Sequence, residues 1–296
     1  MRTELFANLH RRYLFPLIIA AVVIADIIFY KMGLDPTDWI VLTYNYSAMA
    51  LVLLEFLIPR NQDWNYISKS GIRYRESAVE TFFFFFSGFW ASQVVYPFSS
   101  WASGIIREQI GFHYKIGLPL IFQAILLVFV VDFIRYWIHR WEHEKAFLWR
   151  FHALHHVPER LGTITSTRTH PIDDFLLYVP ETILLMTVGF DRNVVAGLFS
   201  VIWVISLVKH SNLDIEENRF SKWFQIPRYH LRHHEYQDGR APNYNFSEIL
   251  TFWDRIFGTF NGDPIQADHK VGVKREKERS FVHEFFGSIY LKTDKL

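Results

Sequence analysis

Four apolar runs, Leu14–Tyr30, Trp39–Ile58, Ala78–Phe98 and Gly117–Ile138, restrict this chain more than any other feature. The last is 22 residues long, which as a helix rises about 33 Å and reaches across a bilayer's hydrocarbon core. Backbone groups find no hydrogen-bond partner in lipid, so such runs are helices. Leu14–Tyr30 follows a basic start, Arg2, Arg11 and Arg12, as a signal peptide would. It also holds Asp26 and lacks a small-residue cleavage site after it, so it reads as an uncleaved membrane helix. Gly33 and Pro36 predict a helical hairpin between the first two runs. Two shorter runs, Phe175–Gly189 and Val194–Val208, predict a second hairpin that does not fully cross. The expected fold class is all-α: a multi-pass membrane helical bundle of about four crossings plus that hairpin. Mean hydropathy is only +0.07, so a sizeable part of the chain lies in water. Polar sequence indeed follows Lys209.

Basic residues orient the bundle. Arg2, Arg11, Arg12, Arg60, Lys69, Arg73 and Arg75 fall on one side, against Lys31, Arg107, Lys115 and Arg192 on the other. The positive-inside rule puts the N-terminus in the cytoplasm, in a bacterial inner membrane or an endoplasmic reticulum. The net charge of +1 gives no sign of a nucleic-acid partner. The absence of cysteine excludes disulfides, thiolate ligands and iron–sulfur clusters. Asp26, costly in lipid, should face the bundle. The phenylalanines of 82–86 are expected to pack in the core or against lipid, with a substrate path as the alternative.

Ten of the fourteen histidines lie between His139 and His234. His139 and His143 are four apart; His152, His155 and His156 sit at i, i+3 and i+4, as do His230, His233 and His234. Each set lies on one helical face. The clusters follow the ends of apolar runs, so counting crossings returns them all to the cytoplasmic side. A solvated face has no reason to choose imidazole three times, so these are candidate metal ligands, joined by His170 and His210. Eight or more imidazoles exceed what one ion accepts, which points to two. Imidazole suits Zn, Cu, Fe and Ni alike. Each ligand ring must be neutral and needs an acceptor for its other nitrogen; Asp132, Glu142, Asp173, Asp174 and Asp254 are candidates. Asp132 lies on the same helical face as His139. Arg135, Arg140, Arg168, Arg228 and Arg232 cannot be ligands and are expected to hold carboxylates or lipid phosphates, or simply to snorkel at the interface.

The paired Glu-x-x-His motifs of soluble di-iron bundles are missing, and so is His-Glu-x-x-His. Haem between membrane helices would need histidines inside the apolar runs. The order HRWEH, FHALHH, THP, KHSN, PRYHLRHH and WDRIFGTF resembles the fatty acid hydroxylase/sterol desaturase superfamily of integral membrane di-iron oxygenases. The resemblance covers roughly Leu118–Phe260.

The resemblance implies a cytoplasmic helical cap over two irons, with zinc possible in purified protein, and O₂ as co-substrate. By position, His139 and His143 match the first histidine box, His152, His155 and His156 the second, and His230, His233 and His234 the last. His210 matches the histidine after the final apolar hairpin, and His170 the one in THP; Asn212 could act through water. The implied reaction is hydroxylation or desaturation of a lipid C–H bond, the lipid being a sterol, a fatty-acyl chain or a relative that enters from the bilayer. No Gly-x-Gly-x-x-Gly is present, so electrons must come from an external donor, a small carrier with its reductase. The alternatives are a di-zinc membrane hydrolase and a non-enzymatic metal-ion carrier. The expected divisions are membrane helices at 1–116, a catalytic domain at 117–262 and a polar tail at 263–296.

Overall fold

The computed structural model describes residues 2–68, 71–111, 116–236, 242–264, 269–273 and 285. Helices α1 (Arg2–Lys31) and α2 (Pro36–Leu57) form the first hairpin. Its turn uses Gly33 at φ +71°, then Asp35, whose carboxylate accepts the Thr37 N–H just ahead of Pro36. Among the described residues, the pairing of strands β1 (Ile67–Ser68) and β2 (Gly71–Ile72) is the sheet content.

Helix α3 (Tyr74–Trp90) runs through a π-helical turn at Ala91–Val95 into α4 (Tyr96–Ile110). Pro97 has no N–H and its ring presses on the preceding turn, which explains the widened ladder there. The apolar run that ends at Phe98 is thus part of a 37-residue helix, about 55 Å long. Its extension was hidden because Ser99 and Ser103 dilute the hydropathy, although both are buried on α4, whose main neighbour is α7. Gly111, at φ +61°, closes α4.

Helix α5 (Leu120–Glu144) is separated from α6 (Ala146–His156) by Lys145 alone, in an extended conformation. Helices α7 (Pro171–Val188) and α8 (Arg192–His210) form the second hairpin. Two short helices follow, α9 (Pro227–His233) and α10 (Phe252–Ile256). Among the described residues, five helices are long and apolar enough to cross a membrane: Arg11–Lys31, Pro36–Leu57, Tyr74–Ile110, Leu120–Glu144 and Arg192–His210. The protein is an all-α, multi-pass membrane protein. Helix α8 reaches spanning length by taking in polar residues at both ends, whereas α7 keeps Asp173, Asp174 and Glu181.

Three connections meet at one end of the bundle. Arg192 pairs with Asp35 at 3.2 Å, Ile116 N donates to Gly189 O at 3.2 Å, and Asp191 N donates to Gln123 Oε1 at 2.9 Å. At the other end Arg60 N donates to Asn212 O, and Arg11 pairs with Asp214. Between them lies a core that includes Phe15, Leu51, Leu127, Ile202 and Ile205. Asp26 is buried and accepts from Thr43 Oγ1 at 3.2 Å, an interhelical bond of the expected kind. Phe83 is buried, Phe82 and Phe85 are exposed, and Phe84 stacks on Tyr44 at 5.4 Å, which is packing on both sides of α3. Lys69 and the charged run 274–280 lie outside the described residues.

Candidate metal centre

The ends of α5, α6, α8 and α9 converge. His139 and His143 from α5, His152 and His156 from α6 and His233 from α9 form one group. His155 from α6, His210 from α8, and His230 and His234 from α9 and its cap form a second. Within each group the facing nitrogen atoms all lie within 4.8 Å of one another. The i, i+3, i+4 spacing explains the division: residues one turn apart on α6 face one group while the member between them turns to the other, and α9 does the same in mirror order. His156 and His234 stack at 4.2 Å where the groups touch.

Hydrogen bonds fix several rings. His139 Nδ1 donates to Phe246 O at 2.7 Å, His233 Nδ1 to Tyr244 O at 2.8 Å and His210 Nδ1 to Ser206 O at 2.8 Å. His152 Nδ1 faces the Asp173 carboxylate at 3.2 Å. Carbonyl and carboxylate oxygens only accept, so the proton sits on Nδ1 and the bare Nε2 turns inward. His152 Nε2 then lies 3.1 Å from both His139 Nε2 and His156 Nε2. In the second group His210 Nε2 lies 2.7 Å from His230 Nε2 and 3.0 Å from His155 Nε2. Inward lone pairs this close repel, and a proton on His152 Nε2 would serve only one of its two contacts. A cation at the centre of each group removes the conflict. Ligands at right angles around an ion at about 2.1 Å stand about 3.0 Å apart, which these separations match. Both ring nitrogens of His143, and Nε2 of His233, are buried without a hydrogen-bond partner, as expected of groups shaped for an ion. The donor set therefore fits two metal ions.

Burial favours the neutral form, the one that binds metal, at His155, His156, His230, His233 and His234. It pushes His155 down to about 3, helped by His152 and opposed by Asp173. His156, His230, His233 and His234 also lie well below the ordinary range, through burial first and neighbouring imidazoles second. For Asp173, burial raises the carboxyl, but the His152 ring prevails and keeps it low. A metal-free protein should consequently lose stability as pH falls from the ordinary imidazole value of 6.5 toward the depressed folded values. The unfolded chain takes up protons there that the folded chain refuses, at up to about 1.4 kcal/mol per pH unit for each such ring. Thermal unfolding in detergent at pH 7.5 and 5.5 checks this; a melting point that stays level or rises on acidification contradicts it.

The acceptors differ from expectation except at Asp173. Asp132 receives no imidazole; its carboxylate accepts the N–H groups of Glu248, Ile249 and Leu250 at 2.8–3.0 Å. Asp254 accepts Phe246 N, Ser247 N and Gln225 Nε2. Asp174 bonds to Thr169. Backbone amides within reach outcompete a ring that has already found a carbonyl. Glu142, also a candidate, lies beside Asp173 with its carboxylate 3.6 Å from His152 Nδ1, beyond hydrogen-bond distance. His170 lies outside both groups: its Nδ1 accepts Ile172 N at 3.1 Å as the cap of α7, and its ring packs on Phe151 and Phe285. Asn212 is engaged by the 61–65 loop, donating to Asn61 O and Asn65 Oδ1 and accepting Asn61 N. Of the arginines, Arg135 pairs with Glu181, Arg140 with Glu144 and Arg232 with Glu235.

Sequence reasoning missed Glu248, which accepts from Lys209 Nζ at 2.6 Å and stands 3.6 Å from His139 Nδ1. It also missed the Tyr244, Phe246 and Ser206 carbonyls. Every residue has a carbonyl, so no side-chain signal marks those that hold a ring.

Residues 124–259 match the family model for fatty acid hydroxylase. The ornithine lipid hydroxylase of Rhizobium tropici is 33% identical over 55% of this chain and 49% of its own length. Lathosterol oxidase of Rattus norvegicus is 30% identical over 48% of this chain and 46% of its own length. Alkylglycerol monooxygenase of Danio rerio is 31% identical over 44% of this chain and 28% of its own length. The chain spans about half the length, or less, of these curated relatives. No solved structure matches. The matched segment begins in α5 and ends just after α10, and so contains every histidine of both groups; over this segment the chain is similar to the fatty acid hydroxylase family.

Proposed function

We propose that the protein is a membrane-bound non-haem di-iron oxygenase that hydroxylates or desaturates a C–H bond of a lipid, using O₂ and electrons from an external carrier. The observation that supports this reading most is the pair of adjoining all-imidazole groups. His139, His143, His152, His156 and His233 would hold one ion, and His155, His210, His230 and His234 the other. His170 is left out of the ligand set. Iron in both groups would supply the redox chemistry with O₂ that no side chain of this chain possesses.

The chain's own residues do the rest. Asp173 holds His152 in the tautomer whose Nε2 faces inward, and the Tyr244, Phe246 and Ser206 carbonyls do the same for His233, His139 and His210. The histidines of both groups are buried, which keeps bulk water from them. The groups lie at the ends of apolar helices, within reach of an alkyl chain whose headgroup stays at the interface. The relatives' names cover an ornithine lipid, lathosterol and an alkylglycerol, which have apolar hydrocarbon in common and little else. Oxygen uptake by the full chain, given reductant and lipid extract, tests the reading. Lipid-dependent uptake is expected; lipid cleavage without uptake would replace it with the di-zinc hydrolase.

The centre is proposed to face the cytoplasm, which the arginine bias supports. The lack of native cysteine makes labelling clean. Lys145→Cys should react from the cytoplasmic side and Lys31→Cys from the opposite one, since the 32–35 turn lies at the far end of the bundle. Labelling of both from the same side would overturn this orientation.

A further inference from the structure

Residues 244–250 form an irregular strap along the five-histidine group, and its backbone amides from Asn245 to Leu250 are all engaged. Asn245 N donates to Thr259 O at 2.9 Å. Phe246 N and Ser247 N donate to Asp254 at 2.8 and 3.0 Å. Glu248 N, Ile249 N and Leu250 N donate to Asp132 at 2.9, 2.8 and 3.0 Å. Both carboxylates are fully buried. The strap returns two carbonyls to the histidines, Tyr244 O to His233 and Phe246 O to His139.

Asn245 stands between those carbonyls. At φ +58° it is the one non-glycine residue in the left-handed region among the described residues. Its side chain is fully buried and fully used: Nδ2 donates to Tyr229 O and Asn261 O at 2.9 Å each, and Oδ1 accepts Asn261 N at 2.8 Å. A strained turn held by this many partners is over-determined by its surroundings, the condition under which strain persists at functional sites.

We infer that Asn245 is a positioning residue for the metal centre: its left-handed turn and amide latch aim the Tyr244 and Phe246 carbonyls so that His233 and His139 present Nε2 to the five-histidine group. The inference rests on the proposal that this group holds a metal ion. It follows that Asn245 acts more strongly on the ion of this group than on the other, which the latch touches only through Tyr229 O, next to His230. The second group's His210 is held by Ser206 O, which is remote from the strap in the chain and belongs to α8.

Cobalt titration of the metal-stripped full chain in detergent, followed by absorption, tests this. The wild type should bind two Co²⁺. Asn245→Ala should bind one ion about tenfold or more weakly than the wild type, the size of effect that an outer partner of a ligand histidine has, and the other with a clearly smaller loss. Asn245→Gly, which keeps the positive φ and loses the latch, should weaken that first ion by less. If Asn245→Ala does not fold, the glycine variant decides. Two wild-type-tight ions in the folded variants overturn the inference, and so does equal weakening of both, which marks a general folding role. A wild type that binds no cobalt overturns the metal reading itself and this inference with it.

Discussion

Replacing His233 with alanine should abolish lipid-dependent oxygen uptake and leave the purified protein with one metal ion where the wild type holds two. His155→Ala should do the same through the other ion. The two rings sit in different groups, His233 with His139, His143, His152 and His156, and His155 with His210, His230 and His234. The activity loss should exceed about 100-fold, because partners one step removed from a metal already account for 10–100-fold. The fold should survive: both side chains are buried inside groups of other imidazoles, and alanine removes a ring without stranding a charge. Metal analysis beside a thermal melt separates loss of site from loss of fold. If either variant keeps two ions and full turnover, the assignment of the groups is wrong. A double variant should hold no ion.

The largest expected change in stability comes from Glu181→Ala. Arg135 on α5 and Glu181 on α7 form a two-pronged pair at 2.6–2.7 Å, with the side chains 1% and 0% exposed. The Tyr178 ring lies 5.1 Å from the same guanidinium. Removing the carboxylate strands a buried cation, at a cost of about 3–5 kcal/mol. A chain of this size should then melt roughly 6–20 °C lower. Replacing both partners, Arg135→Met with Glu181→Leu, should recover most of that loss, since well-packed apolar pairs often match buried ion pairs. A double variant as unstable as Glu181→Ala would show that the guanidinium has a role beyond this pair.

The bundle was legible because hydrocarbon leaves the chain one choice of backbone, and length then fixes the crossings. Helix α4 was not, since Ser99 and Ser103 lower its hydropathy while packing against a neighbour that periodicity does not reveal. The histidine groups were legible as a set because i, i+3, i+4 spacing is local. Their partition was hidden: whether His155 joins His152 or His210 depends on how α6 sits against α8 and α9. Asp132 shows the same limit. Its helical face was readable from α5, but its partners lie in a strap without periodicity, and so a carboxylate expected to hold a ring holds three amides. His170 matched by position in the chain, while its place in space is the cap of α7.

The partners of α5 also set an order of events during synthesis. Arg135 waits for Glu181, 46 residues later, and Asp132 for the amides of Glu248 to Leu250, which begin 116 residues later. At 5–20 residues per second the second delay is roughly 6–23 s. Through that interval α5 carries two charged side chains without their final partners, and each costs about 2.5–3.5 kcal/mol at mid-bilayer. Helix α5 therefore reaches its final burial only once α7 and then the strap are made. Segments translated after the last membrane helix thus complete the burial of an earlier one.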